Sequence, residues 1–247
     1  MQDRDIENGY FLNQDDPNKR DSEYNSLNVR IGFVRKVYGI LAIQLLITTL
    51  ICVISMTSPA FATFQAESPG IFIAAIVLSF VVLIAIFCFK NVAKTVPTNY
   101  ICLIIFTLCE AYMVSFACSS VGEPKIVIMA AAMTLGMTLS LTIYACTTKK
   151  DFTMLGSSLF VFCTALLLFG IFMGIFHAWS KPLYILYTTL GVIFYGFYLC
   201  YDTQLIMGGK ENEIDLDDYI IGAIMIYLDV IIIFLKILSL LKTVLGK

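Results

Sequence analysis

Four ionisable side chains interrupt the long apolar runs of this chain: Glu110, Asp202, Asp229 and Lys236. The two aspartates stand in YLCYDTQ and YLDVIII, stretches otherwise apolar enough to sit in lipid. A charge near the centre of a bilayer costs at least about 2.5–3.5 kcal/mol, so such groups are candidates for handling protons or cations. The competing reading is that they are hydrogen-bonding glue between helices. If Asp202 and Asp229 meet at about 4 Å, their ionised forms repel by about 4 kcal/mol at an effective dielectric of about 20, roughly a thousandfold in proton affinity. One proton would then be shared near neutral pH, and the pair would titrate as a unit. Protonated, such a pair ties its two helices together; doubly ionised, it drives them apart and offers a cation the proton's place.

Depth decides which groups can cooperate. Glu110 and Asp229 each lie about ten residues into their apolar runs, roughly 15 Å from the nearer surface. Asp202 precedes the Gly208-Gly209 pair by about five residues, which places it roughly 8 Å deep. The resulting offset of about 7 Å between the aspartates calls for helix tilt. Lys236 follows Asp229 at about 10 Å along a straight helix, too far for an ion pair, and is expected to snorkel towards the far interface. Tyr195, Tyr198 and Tyr201 rise towards Asp202 at helical spacing, either to donate hydrogen bonds to it or to pack.

The elements that must hold these groups follow from composition. In 247 residues, 59% are hydrophobic and only 14% charged, with a mean hydropathy of +0.87, which marks an integral membrane protein. A net charge of −2 supplies no basic field for nucleic acid. The eight cysteines lie in apolar runs without ligand spacing, so neither a metal site nor a cofactor is expected. Seven continuous runs are each long enough to cross a hydrocarbon layer of about 30 Å: 37–57, 70–89, 100–120, 126–146, 153–176, 183–207 and 219–241. The expected fold is an all-α, polytopic bundle of seven helices, or six plus a last helix that turns back. Residues 1–30 are expected to form a disordered cytoplasmic tail and 31–247 the transmembrane domain.

Lys and Arg accumulate on the cytoplasmic side of short loops. A cytoplasmic N-terminus puts 11 of the 16 there, and 14 if the last span turns back. That orientation also argues against a G-protein-coupled receptor. The first 28 residues lack the basic-then-apolar order of a cleaved signal, so the first span is expected to do the targeting.

Several stretches together resemble the Bax inhibitor motif-containing, or Lifeguard, family, and its Golgi-associated branch in particular. They are FVRKVYGILAIQLLITT (33–49), ESP (67–69), LCEA (108–111), TTKKDF (147–152), YDTQ (201–204) and YLDVI (227–231). The resemblance implies a seven-helix fold with the last helix surrounded by the other six. It further implies a pH-sensitive leak for Ca²⁺, as the transported ion, across Golgi or endoplasmic reticulum membranes. Suppression of cell death goes with it, and so do cell-death regulatory membrane proteins as partners. The family's paired aspartates fall on Asp202 and Asp229 as the pH-sensing gate, and its third-helix glutamate on Glu110 in the ion pathway. Two positions depart from the pattern: Ile232 and Ser239 stand where many relatives carry Asn and Arg, leaving Lys236 as the nearby cation.

The same residues also suit a proton-coupled cation exchanger. An intramembrane aspartyl protease is disfavoured, because Ile226-Tyr227-Leu228 precedes Asp229 where that chemistry needs small residues; no catalytic residue is assigned, and the chain is read as a non-enzyme. A scaffold acting through partner binding is the remaining class. For it, the acidic loop Glu211–Asp218 offers a surface, though one without the ligand order of an EF-hand.

Overall fold

A computed structural model describes residues 17–177 and 179–246. The first sixteen residues of the expected tail lie outside the described residues, and the first helix begins at Pro17. In chain order the helices are α1 (Pro17–Thr57), α2 (Pro59–Glu67), α3 (Pro69–Cys88), α4 (Lys90–Lys94), α5 (Thr98–Ser119), α6 (Pro124–Thr147), α7 (Gly156–Ile175), α8 (Lys181–Met207) and α9 (Tyr219–Leu245). Proline opens α2, α3, α6 and α8 within their first turn, where its missing N–H is not needed and its fixed φ suits a helix. Among the described residues, seven helices are long and apolar enough to cross a membrane, including Ser26–Thr57 of α1.

The last of these is central. Over its most apolar window α9 is 56% buried, against 11–39% for the other six. A helix apolar on every side belongs inside a bundle, and Ile220, Ile224, Tyr227 and Ile233 of α9 are fully enclosed. Direct contact comes mainly from α8, α1, α6 and α5, while α3 packs chiefly on α5 and α7 on α8. The outer helices turn residues such as Phe80, Phe160 and Ile175 outwards, where the surrounding medium is hydrocarbon.

α9 is also unbroken over 27 residues. At one end Asn99 Nδ2 donates to Tyr219 Oη at 3.1 Å; at the other, Lys242 Nζ donates to the Ser120 carbonyl at 3.0 Å. The helix therefore crosses the bundle completely, and of the two topologies expected from the sequence the seven-span one holds. We call the end carrying the α8–α9 loop the near end, and that carrying α2 and the α5–α6 turn the far end.

At the near end the α8–α9 connection is clamped by Arg30 of α1. Its Nε donates to the Ile206 carbonyl at 2.9 Å, Nη2 to Leu205 at 2.6 Å and Nη1 to Ile214 at 2.8 Å. The last carbonyls of a helix have no partner within it, and this guanidinium fork supplies one where α8 ends at Gly208, whose φ of +73° favours glycine. The loop then doubles back so that Ile214 N donates to the Leu205 carbonyl at 3.1 Å. Its acidic residues are partly neutralised from within: Lys94 lies 3.3 Å from Asp218 and 3.8 Å from Asp215, and Arg30 lies 3.9 Å from Glu213.

Hydrogen bonds from a charged donor contribute about 1.5–3 kcal/mol each, with partial re-solvation at this half-buried site. Arg30→Ala is expected to destabilise the protein by about 2–4 kcal/mol, and Arg30→Lys to recover only part of that, because an ammonium cannot present the same fork. Thermal unfolding of the purified variants in detergent measures both.

Candidate functional site: a buried carboxylate pair

Asp202 on α8 and Asp229 on α9 are each 4% exposed. Their side chains face each other across the seam between the two helices, close enough to interact. An ionised carboxylate only accepts hydrogen bonds, so a bond between two carboxyls needs a proton held by one of them. Asp202 Oδ1 and Asp229 Oδ2 are buried and receive no hydrogen bond from any hydroxyl, amide or backbone donor of the described residues. A proton carried by the pair itself is the donor that would satisfy these two oxygens.

The depth offset expected from the helix ends shrinks for two local reasons. Ile206 of α8 packs directly on Gly222 of α9, so close that a Cβ there would lie 3.4 Å from it. This register leaves Asp202 one turn from the contact on α8 and Asp229 two turns from it on α9, which narrows the offset to about 4.5 Å. Side chains also lean towards the N-terminus of their own helix, and in an antiparallel pair those leanings converge.

Glu110 is elsewhere. It is half-buried on α5, beside Ser79 of α3, whose hydroxyl donates to the Ile76 carbonyl at 3.2 Å. The structure thus brings Asp202 and Asp229 together and keeps Glu110 apart from them, at the α3–α5 seam. Lys236 lays its stem across Gly191 and its ammonium over the Tyr187 ring, 4.1 Å from the centroid, both on α8. The three tyrosines before Asp202 pack rather than donate to it: Tyr195 stacks on Tyr198, Tyr198 meets Tyr201 edge to face, and the Tyr195 hydroxyl contacts Cys163 Sγ at 3.9 Å. A cavity of about 550 Å³ between α1, α5, α6 and α9, lined by residues such as Leu45, Val53, Ile128 and Phe234, does not include either aspartate.

Gln204 is the residue that reading for charges alone misses. Two positions past Asp202, it faces away from α9. Its Oε1 accepts from Phe152 N at 2.7 Å, and its Nε2 donates to the carbonyls of Ala145 at 3.1 Å and Lys150 at 3.0 Å. The neighbouring Asp151 accepts from Thr153 Oγ1 at 2.6 Å, Thr153 N at 2.8 Å and Glu211 N at 3.0 Å. The TTKKDF and YDTQ stretches, far apart in sequence, are thereby fastened into one near-end collar around the base of the pair. Its signal in the sequence was an amide inside an otherwise apolar helix.

A family model described as inhibitor of apoptosis-promoting Bax1 matches residues 30–244. Protein lifeguard 3 of Homo sapiens is 34% identical over 220 residues, covering 88% of this chain and 70% of that protein. Protein lifeguard 4 of Mus musculus is 32% identical over 222 residues, covering 90% and 89%. The BI1-like protein of Arabidopsis thaliana is 31% identical over 222 residues, covering 89% and 83%.

The collar has its own pH dependence. The hydrogen bond from the Thr153 hydroxyl, then that from the Glu211 amide, holds the Asp151 carboxyl below the usual carboxylate range. A depressed folded-state pKa stabilises above the unfolded value, about 3.9, and that contribution is lost as pH falls through the folded value. Asp151→Asn is therefore expected to lower the melting temperature near neutral pH, with the gap to the unaltered protein closing below about pH 4. Melting curves of the two proteins across that range give the test.

Proposed function

The chain belongs to the Bax inhibitor family of membrane proteins, and on that footing we propose that it is a pH-sensitive Ca²⁺ leak of intracellular membranes, gated by Asp202 and Asp229 and acting against apoptosis. The observation that supports this reading is the mutual burial of two neighbouring carboxyl groups, one oxygen of each lacking a hydrogen-bond partner among the described residues. With the proton in place, α8 is tied to α9 and the seam is closed. When it leaves, two negative charges face each other in a medium of low dielectric, and a divalent cation is the ligand that relieves them. Both states use the same oxygens, so proton and Ca²⁺ compete.

Glu110 contributes at a second place along the route. Half-buried at the α3–α5 seam, it adds negative potential near mid-bundle without joining the gate. The membrane of residence is proposed to be Golgi or endoplasmic reticulum, with the N-terminus cytoplasmic, as the distribution of Lys and Arg supports. No chemical step is assigned to the chain.

Purified protein in liposomes tests the reading directly. Asp202→Asn and Asp229→Asn each remove the titrating partner, so Ca²⁺ efflux is expected to lose its pH dependence around neutrality, whereas Tyr198→Phe changes it weakly. Two aspartate variants with the unmodified pH profile would end the gate proposal. Uphill Ca²⁺ movement driven by a pH gradient would reclassify the protein as an exchanger, and absence of flux from every form would leave a scaffold.

A further inference from the structure

On the side of α9 away from the aspartates, α1, α5 and α9 meet along a line of buried polar groups. Near mid-bundle, Gln44 Nε2 donates to Thr107 Oγ1 at 3.0 Å, while Gln44 Oε1 is buried with no donor among the described residues. One turn on, the Thr48 and Tyr227 hydroxyls lie 2.8 Å apart. Nearer the far end, Ser55 Oγ donates to Gln65 Oε1 at 2.5 Å and reaches the Ser115 carbonyl at 3.3 Å. Gln65 Nε2 in turn donates to Ser115 Oγ at 2.8 Å and to the Tyr112 carbonyl at 3.3 Å.

Gln44, Thr48 and Ser55 repeat at helical spacing on one face of α1, so the file is a property of that face. Its last member is different in origin. Gln65 comes from α2, the nine-residue helix that bridges the first two spans at the far end, and it is only 1% exposed. An amide inserted from the end of a bundle, holding the side chains of two different spans, stands where water would otherwise enter. Burying it requires every one of its bonds, since an unsatisfied amide in an apolar setting costs about 1–3 kcal/mol.

We propose that Gln65 is the far-end seal of the cation route: its side chain closes the polar file between α1 and α5, and opening there means withdrawing that amide from between Ser55 and Ser115. This deepens, and rests on, the leak reading of the aspartate pair. The route then has a carboxylate gate towards the near end, on the α8 side of α9, and an amide seal at the far end on the α1–α5 side. The half-buried Glu110 lies one turn past Thr107 on α5, where the file begins.

A native reporter lies beneath the seal. Cys52 is one turn before Ser55 on α1, and with Cys118 of α5 it lines the cavity between α1, α5, α6 and α9. The full chain in lipid nanodiscs is exposed to a charged, membrane-impermeant alkylating reagent, and modification of Cys52 is followed by peptide mass spectrometry, with Cys52→Ser as the blank. Gln65→Ala is expected to speed alkylation about tenfold, equivalent to ~1.4 kcal/mol in the opening equilibrium, and Ser55→Ala to speed it less. Unchanged rates in folded Gln65→Ala and Ser55→Ala protein overturn the seal. If Gln65→Ala does not fold, Ser55→Ala decides alone, faster alkylation supporting the seal and an unchanged rate removing it. Ca²⁺ efflux from liposomes holding the unaltered protein decides the leak separately: faster alkylation in the variants with no efflux keeps Gln65 as a barrier to water and removes the cation route.

Discussion

Within the hydrocarbon layer there is no water to satisfy a polar group, and every such group in this bundle must find its partner in the protein. That constraint explains where the structure is held together. Arg30 takes up carbonyls at the end of α8; Gln204 spends its whole amide on the α6–α7 connection; Gln65 does the same at the opposite end. Apolar packing cannot fix these positions by itself, because side chains that would be driven together in water gain little from leaving lipid for one another. The aspartate pair is the case in which the facing group is another acid, and in the proposed gate a shared proton supplies the bond.

The central helix separates two kinds of polar site. On its α8 side the pair is isolated among apolar and aromatic neighbours, and its state turns on one proton. On its α1 and α5 side the hydroxyls and amides form a longer file whose members do not change charge. Glu110 belongs near the second, at the outer α3–α5 seam. The two aspartates therefore face each other, and Glu110 stands apart from them.

Much of this was legible beforehand. Six of the seven spans could be placed within a few residues, because uninterrupted apolar runs and proline-marked turns leave little freedom in a bilayer; the first, expected from 37, starts earlier, its spanning stretch at Ser26. The meeting of Asp202 and Asp229 could be expected from the lipid cost of leaving either alone, but their register could not: it depends on Gly222 admitting Ile206 and on the α8–α9 loop folding back through Ile214. The amides Gln44, Gln65 and Gln204 were passed over when only ionisable groups were sought, although a neutral amide faces the same demand for partners. Whether the last span crossed was also beyond charge counting, since its three lysines move the cytoplasmic total only from 11 to 14 of 16; the reach of Lys242 to Ser120 decides it.

Asp202 and Gln204 stand two residues apart on α8 and point to opposite sides of it, one into the proton-bearing seam and the other into the collar. The helix is in that sense a rocker with a load on each flank. Any roll that parts the acids must tug on the strap that joins α6 to α7, so the proposed gate would have a mechanical outlet on the surface just outside the membrane.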